Sequence, residues 1–585
     1  MFNNGGMRNM GSNGNQPLIT NQNDFQFFDN VTRVAGRHTM KAGGSITRRS
    51  REILNADSIT GEFYFDANNT SSCAGIVSGC TPRAGTGFDV ASFLLGYATR
   101  ENRALFDANT YTEQRPEFAA YFQDDIRVNN KLTVNAGLRY DLYVPWVEVN
   151  NRQSNFDPTT GKFVVASDNA VIAGTDVGRY LQTYSKRDFG PRFGFAYDLT
   201  GNGRTIVRGG YGLFWNFTPG GTSSSKAQNQ PFLQATDLRS PFGTNLVLSK
   251  GLPPPPGVHP EAVPTGQTRS AFDVNFRDAH AHNYNVNVQR QFGTDYMVEV
   301  AYSGSQSRDM ALKTDFNQAP PTPGVTNPNS GRPFFSTAPG LTTVGALRSA
   351  GYVEYNGLLI KFQRRLANHF SFFNAYTLGR AIDLNSDNDG TVTLTDIFHP
   401  EYNRGPADYD VRHTFSSTWI YELPWAAQRP YGGWQLNGLL YLRSGLPVNV
   451  TQTQSMLSTG VTNRPNTICD PVLSDPTIDK WFNTSCFAPP SDTTATFGTT
   501  SRNSLRGPGQ FNIDASVIKH TRFGSVDTEV RVEAFNILNH PQFGQPNAVI
   551  GNSQAGQITA MLASSSCAFC GTTERQVQLA FKVRF

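Results

Sequence analysis

The sequence predicts an all-β fold, a transmembrane antiparallel β-barrel holding about 17 strands of a 22-stranded cylinder, incomplete or open at its seam. Three observations carry this expectation. The chain closes on an alternating segment, residues 575–585, in which Val577, Leu579, Phe581, Val583 and Phe585 share one face and Gln578, Ala580, Lys582 and Arg584 the other. Short and long connections alternate along the sequence. The 585 residues are only 16% charged yet 12% aromatic, with Gly 54, Phe 42 and Tyr 21, which fits aromatic-rimmed strands and polar loops better than helices.

The closing segment needs an apolar medium on one face and water or a polar lumen on the other. It runs to the last residue without a tail, so the terminus itself is expected to lie in the sheet as a membrane closing strand. No run of about 18 apolar residues occurs, which excludes a helical membrane span and leaves a barrel open, since barrel strands need only about 10 alternating residues. The formal net charge of +4 is small and the cations are scattered, so a nucleic-acid partner is excluded. Outer-membrane lipid and the barrel assembly machinery, engaged through the C-terminal strand, are the partners a barrel implies. Residues 1–10 show no apolar signal core, and the chain is expected to be a truncated barrel portion.

Taken in order, residues 1–23 are rich in Asn and Gly and read as a disordered segment, with the barrel portion occupying 24–585. Segments 24–34 and 38–51 flank the turn Ala35-Gly36-Arg37. Segment 61–67 follows, then a cysteine-containing loop, a short apolar piece at 90–96 that reads as a helical turn, and a weaker strand at 99–110. The clearest hairpin joins 117–128 to 131–143 through Asn129-Asn130, a dipeptide that tolerates positive φ. Its second strand sets Leu132, Val134, Ala136, Leu138, Tyr140 and Leu142 on one face, with Thr133, Asn135, Gly137, Arg139 and Asp141 opposite. Further pairs follow at 189–199 and 204–215, 282–291 and 296–305, 354–364 and 369–380, 412–423 and 434–451, and 511–520 and 526–538.

Structureless loops beyond about 12–15 residues are uncommon in soluble domains, whereas outer-membrane barrels combine short periplasmic turns with long extracellular loops. With Phe585 placed in the periplasm, every short turn from Ala35 to Ser525 falls on that side. The long loops starting near Val144, Asn216, Gln306, Ala381, Gln452 and Pro541 fall outside. The Cys73/Cys80 segment is the exception and is expected on the periplasmic side.

The cysteines form three local pairs, Cys73/Cys80, Cys469/Cys486 and Cys567/Cys570, and local spacing favours nearest-neighbour disulfides in an oxidising compartment. The rival reading of Cys567-x-x-Cys570 is a redox or half-zinc motif. It is accompanied by no second CxxC and no nearby His.

Several stretches resemble TonB-dependent outer-membrane receptors of the Oar-like type: 122–126 (FQDDI), 132–141 (LTVNAGLRYD), 190–195 (GPRFGF), 408–413 (DYDVRH), 532–544 (VEAFNILNHPQFG) and the terminal 576–585. The resemblance spans roughly 24–585 and is specific in combination. It implies a 22-stranded barrel with an N-terminal plug in the cell outer membrane of a Gram-negative-type bacterium, and import energised by the TonB complex. That coupling requires a plug and TonB box upstream, and neither is recognisable within these residues.

Residues 385–396 match the spacing of an EF-hand-like calcium loop. Asn385, Asp387 and Asp389 occupy its first, third and fifth positions, Gly390 its sixth and Asp396 its last. The competing reading is a solvated acidic loop. No cofactor is required, and calcium in this extracellular loop is the metal ligand the sequence suggests. His399, His413, His520 and His540 lie in separate connections without metal spacing and read as rim or turn residues. No nucleophile elbow or catalytic constellation appears, so the chain is not expected to be an enzyme. A receptor or transporter for a siderophore, glycan or peptide is the leading expectation, with an adhesion or surface-assembly barrel as the alternative.

Overall fold

The computed structural model describes residues 10–11, 18–55, 61–76, 80, 83, 85–106, 110–216, 226–229, 231–240, 246–252, 267–325, 327–338, 341–386, 394–425, 431–453, 458–461, 463–491, 496–562 and 574–585. One 18-stranded sheet dominates it. Its wall is a meander of long strands: β1 (Leu18–Ala35), β2 (His38–Asn55), β3 (Tyr111–Arg127), β4 (Leu132–Tyr143), β5 (Asp188–Asp198), β6 (Thr205–Asn216), β7 (Ala279–Phe292), β8 (Tyr296–Asp315), β9 (Leu341–Ala367), β10 (Phe370–Asp383), β11 (His413–Glu422), β12 (Trp434–Arg443), β13 (Gln510–Phe523), β14 (Val526–Phe535) and β15 (Gln576–Arg584). Each pairs antiparallel with the next. Three short pieces, Val147–Glu148, Gln267–Phe272 and Gly405–Pro406, complete the sheet.

Two expected wall strands leave it. Arg100–Phe106 pairs with Glu62–Tyr64 on one side and with Leu233–Arg239 on the other, in a separate three-stranded sheet. This correction removes the phase anomaly. The whole connection from β2 to β3 becomes one long loop, and the Cys73 and Cys80 segment moves to the long-loop end. Three boundaries shift as well. β1 starts at Leu18, inside the segment expected to be disordered. The 434–451 segment stops being wall at Arg443, and β9 runs for 27 residues. The short apolar piece folds as a helix, Asp89–Leu94.

Alternation decides what each wall strand shows to either side. On β7, Val286 and Val288 point outward and are 44% and 43% exposed. Asn283, Asn285, Asn287, Gln289 and Gln291 share the inner face. The register carries the outward row across the sheet, Val288 facing Val300 and Val300 facing Ile360. At the last strand, Val577, Leu579, Phe581 and Val583 lie opposite Ala534, Val532, Val530 and Thr528. Among the described residues β15 pairs only with β14 and β1 only with β2. The inner face is held by cross-strand charge, as in Lys361–Glu299 at 3.1 Å and Lys41–Asp125 at 3.3 Å. One glycine is required by packing. The Trp419 ring lies over Gly438, its register partner, where a Cβ would sit 2.3 Å from the ring.

The buried apolar clusters gather at the long-loop end. One joins Phe156, Ala271, Leu341 and Val344, and another Val448, Val450, Phe482 and Leu505. The connections between strands therefore pack on one another above the wall.

The two faces predict unequal responses within β8. Val300→Lys is expected to destabilise the folded protein by about 2–4 kcal/mol, whereas Ser303→Lys on the inner face costs under about 1 kcal/mol. Denaturant titrations of the protein folded into lipid vesicles measure both.

Candidate functional site: the charged mouth beneath the loops

At the long-loop end, the inner faces of β2, β3 and β4 carry side chains that meet the loops above them. Parity puts Arg51 and Glu113 on facing strands, one register step apart from Glu52↔Thr112. They form a buried ion pair, with Arg51 Nε donating to Glu113 Oε2 at 2.8 Å. The Arg51 guanidinium stacks 4.4 Å from the centre of the Trp146 ring, and Arg115 lies 5.5 Å from the same ring. Arg115 also pairs with Glu117 at 3.1 Å. Arg115, Trp146, Tyr143, Gln182, Lys226 and Asp278 line a narrow cleft there.

Residues 226–229 form a peg driven into this mouth. Lys226, 1% exposed, donates to the Tyr180 carbonyl at 2.9 Å and to Gln182 Oε1 at 3.0 Å, and lies over the Phe272 ring. Ala227 packs with Ile53 and Tyr111. Asn229 Nδ2 donates to the Ser154 and Ser270 carbonyls at 3.0 and 2.8 Å. Asn155 continues the tie, donating to the Leu181 and Phe272 carbonyls and accepting from Phe272 N–H. Burial holds Lys226 down to about 8. Burial and the facing Asp188 carboxylate push Asp278 up to about 7.

A second clasp closes the mouth over β10 and β11. Arg502 pairs with Asp383 and donates to Asp408 Oδ1 at 2.9 Å and Ser386 Oγ at 2.8 Å. Arg506 pairs with Asp410, whose Oδ1 accepts from Ala381 N–H at 2.6 Å. The DYDVRH stretch is therefore the acidic half of a loop clasp. Its basic partners lie 94 and 96 residues away in sequence.

Of the expected site residues, Asp387, Asp389, Cys567 and Cys570 lie outside the described residues. Asn385 is half-buried. Asp396 is buried, with Oδ1 accepting from Phe398 and His399 N–H and Oδ2 paired with His399 Nδ1 at 3.0 Å. Those bonds shape a turn. Cys73–Cys80 and Cys469–Cys486 are disulfide-bonded, each inside one long connection. His413 bonds Tyr376 Oη at 2.8 Å, His520 lies 3.7 Å from Glu529, and His540 stacks edge-on with Phe511. Among the described residues no group of three or more His, Cys, Asp or Glu side chains is placed to hold a metal ion.

Residues 1–578 match a family model described as outer membrane beta barrel domain. The chain belongs to this family. Its outer-membrane location follows, and the outward row of β7 to β15 is the lipid-facing surface of a family barrel. The fold is similar to that of the outer membrane transporter YddB from Escherichia coli, at 8% identity and TM-score 0.51, over 96% of this chain and 54% of that one. The siderophore receptor PiuA from Acinetobacter baumannii matches at 10% identity and TM-score 0.44, over 97% and 56%. The unliganded ferric citrate transporter FecA matches at 11% identity and TM-score 0.44, over 97% and 55%. The chain thus spans about half the length of these structures. No protein of curated function matches it.

For an outer-membrane barrel the mouth's charges are a stability element with a readable pH signature. Asp278 keeps its proton in the folded state to about pH 7, while an unfolded carboxyl loses it near pH 4. Its contribution is therefore complete at low pH and is lost as the pH rises through 7. Lys226 works oppositely, favouring the folded loops only as the pH climbs from about 8 toward the free lysine value. Hydrogen exchange of residues 144–187, corrected for intrinsic rates, is expected to show protection falling between pH 5 and 7. Asp278→Asn flattens that slope. Glu113→Gln removes the charge against which Arg51 is buried and is expected to cost about 3–5 kcal/mol in a denaturant titration.

Proposed function

We propose that the chain is the barrel portion of an outer-membrane receptor whose long loops capture a ligand for TonB-energised uptake. The single observation behind this reading is the loop layer itself. Its connections carry their own apolar clusters and are tied to the wall and to one another by Arg51 stacked on Trp146, by Lys226, and by Arg502 and Arg506. Ordering that much backbone outside the membrane is costly, and a fixed shape at the mouth is what selective capture requires. The likeness to an outer membrane transporter supports the same reading at the level of the fold. Siderophores, glycans and peptides are the ligand classes proposed.

A deletion strain and a TonB-deficient strain, each fed panels of ferric siderophores, oligosaccharides and peptides as sole source, provide the test. The proposal expects both strains to lose growth on the same class. Loss of surface attachment with growth intact on every panel would establish the adhesion alternative instead.

A further inference from the structure

The short-turn end carries an ordered set of cation–aromatic pairs on the lipid-facing side. Arg290 shares the outward face of β7 with Val286 and Val288, and its guanidinium lies 5.3 Å from the centre of the Phe292 ring. Two strands along, Arg364 continues the outward row of Ile360 and Phe362. It stands opposite Tyr296 in register and lies 5.4 Å from that ring and 5.8 Å from Phe370. On β13, Lys519 follows Val517 outward and lies 5.5 Å from the ring of Trp434, its register partner. Phe292 faces Tyr296 and Phe370 faces Tyr421, so aromatic rings run with the cations from β7 to β11, and the Trp434–Lys519 pair extends the row to β13.

A girdle of rings with snorkelling cations explains position alone. The partners distinguish this band from that general feature. Three cations on the inner face have carboxylates: Lys41 has Asp125, Lys361 has Glu299 and Arg531 has Glu529. The lipid-facing Arg308 at the opposite rim pairs with Glu354 at 2.7 Å. Among the described residues, none of Arg290, Arg364 and Lys519 pairs with a carboxylate; Arg364 Nη2 donates to the Ala367 carbonyl at 3.0 Å and Lys519 Nζ to the Gly432 carbonyl, so the positive charges at this end are solvated by backbone without being neutralised. Arg290 faces Val298 and Arg364 faces Tyr296 on the strand between them, so with strands spaced about 4.8 Å apart and rising about 3.4 Å per residue the two positions stand about 12 Å from each other across β8. That is room for a phosphodiester to accept from both while its acyl chains lie along the outward valine and isoleucine rows.

We infer that this band is a binding surface for anionic phospholipid in the periplasmic leaflet, with Arg290, Arg364 and Lys519 holding the phosphodiester headgroup over the aromatic ring of each pair. It is independent of what the loops capture at the other end. Headgroup attraction of this kind gives about fivefold preference per cation.

Native mass spectrometry of the full chain, folded in detergent and offered phosphatidylglycerol or phosphatidylcholine of identical acyl composition, tests the inference. The wild type is expected to retain phosphatidylglycerol at least about fivefold better, and the preference is expected to fade as salt is raised. The triple variant Arg290→Gln, Arg364→Gln, Lys519→Gln should fall to parity, while Arg308→Gln keeps the wild-type preference. Equal retention of the two lipids by the wild type, a salt-insensitive preference, or one that survives the triple substitution would each overturn it. The wild-type salt series discriminates between these outcomes even where the triple variant fails to fold.

Discussion

Backbone pairing in hydrocarbon is the constraint on which the rest of this molecule depends. An unpaired N–H or C=O there costs several kcal/mol, so a chain of this composition crosses only as strands bonded to neighbours. β2 to β14 meet that demand on both sides through antiparallel registers, interrupted by register shifts only near Ser307–Ala311 and Arg364–Ala367. Everything else is arranged around the wall so produced. Alternation assigns apolar side chains to lipid and amides to the inside, and the tight turns fix which end the loops occupy. The two outermost strands meet the demand on one side only among the described residues, so β1 and β15 are where an additional strand has most to gain by pairing.

The loop end obeys a different rule. Away from hydrocarbon the connections fold on one another, and charged groups that would be prohibitive within the bilayer become the means of attachment. Arg51, Arg115, Arg502 and Arg506 all contribute guanidinium groups, whose planar donors reach carboxylates and rings at once. The resulting layer depends on ionisation more than the wall does, which is why its pH response is separable from that of the strands.

Much of the wall was legible from period-two alternation and turn chemistry, because both are local. The segments near 61–67 and 99–110 show where that signal stops. Their alternation is indistinguishable from that of a wall strand; they leave the wall because they pair with each other and because Arg100–Phe106 takes Leu233–Arg239, far away in sequence, as its second partner. The mouth was illegible for the same reason. Arg51 and Glu113 are separated by 62 residues, and Arg502 and Asp383 by 119, so no spacing announces them. The DYDVRH stretch was visible as a motif, but only the fold shows its carboxylates accepting from Arg502 and Arg506. Conversely, the acidic spacing that reads as a calcium loop ends on Asp396, whose oxygens the fold engages in a turn and with His399.

The two disulfides have a consequence for the order of maturation. Cys73–Cys80 and Cys469–Cys486 close over separations of 7 and 17 residues, each within one connection. Neither staples one wall strand to another. Oxidation therefore commits no strand to a neighbour, and the bridges can form on a chain whose strands have yet to pair. For these four cysteines thiol chemistry and membrane assembly are thus uncoupled in time, and whichever happens first leaves the same topology available to the other.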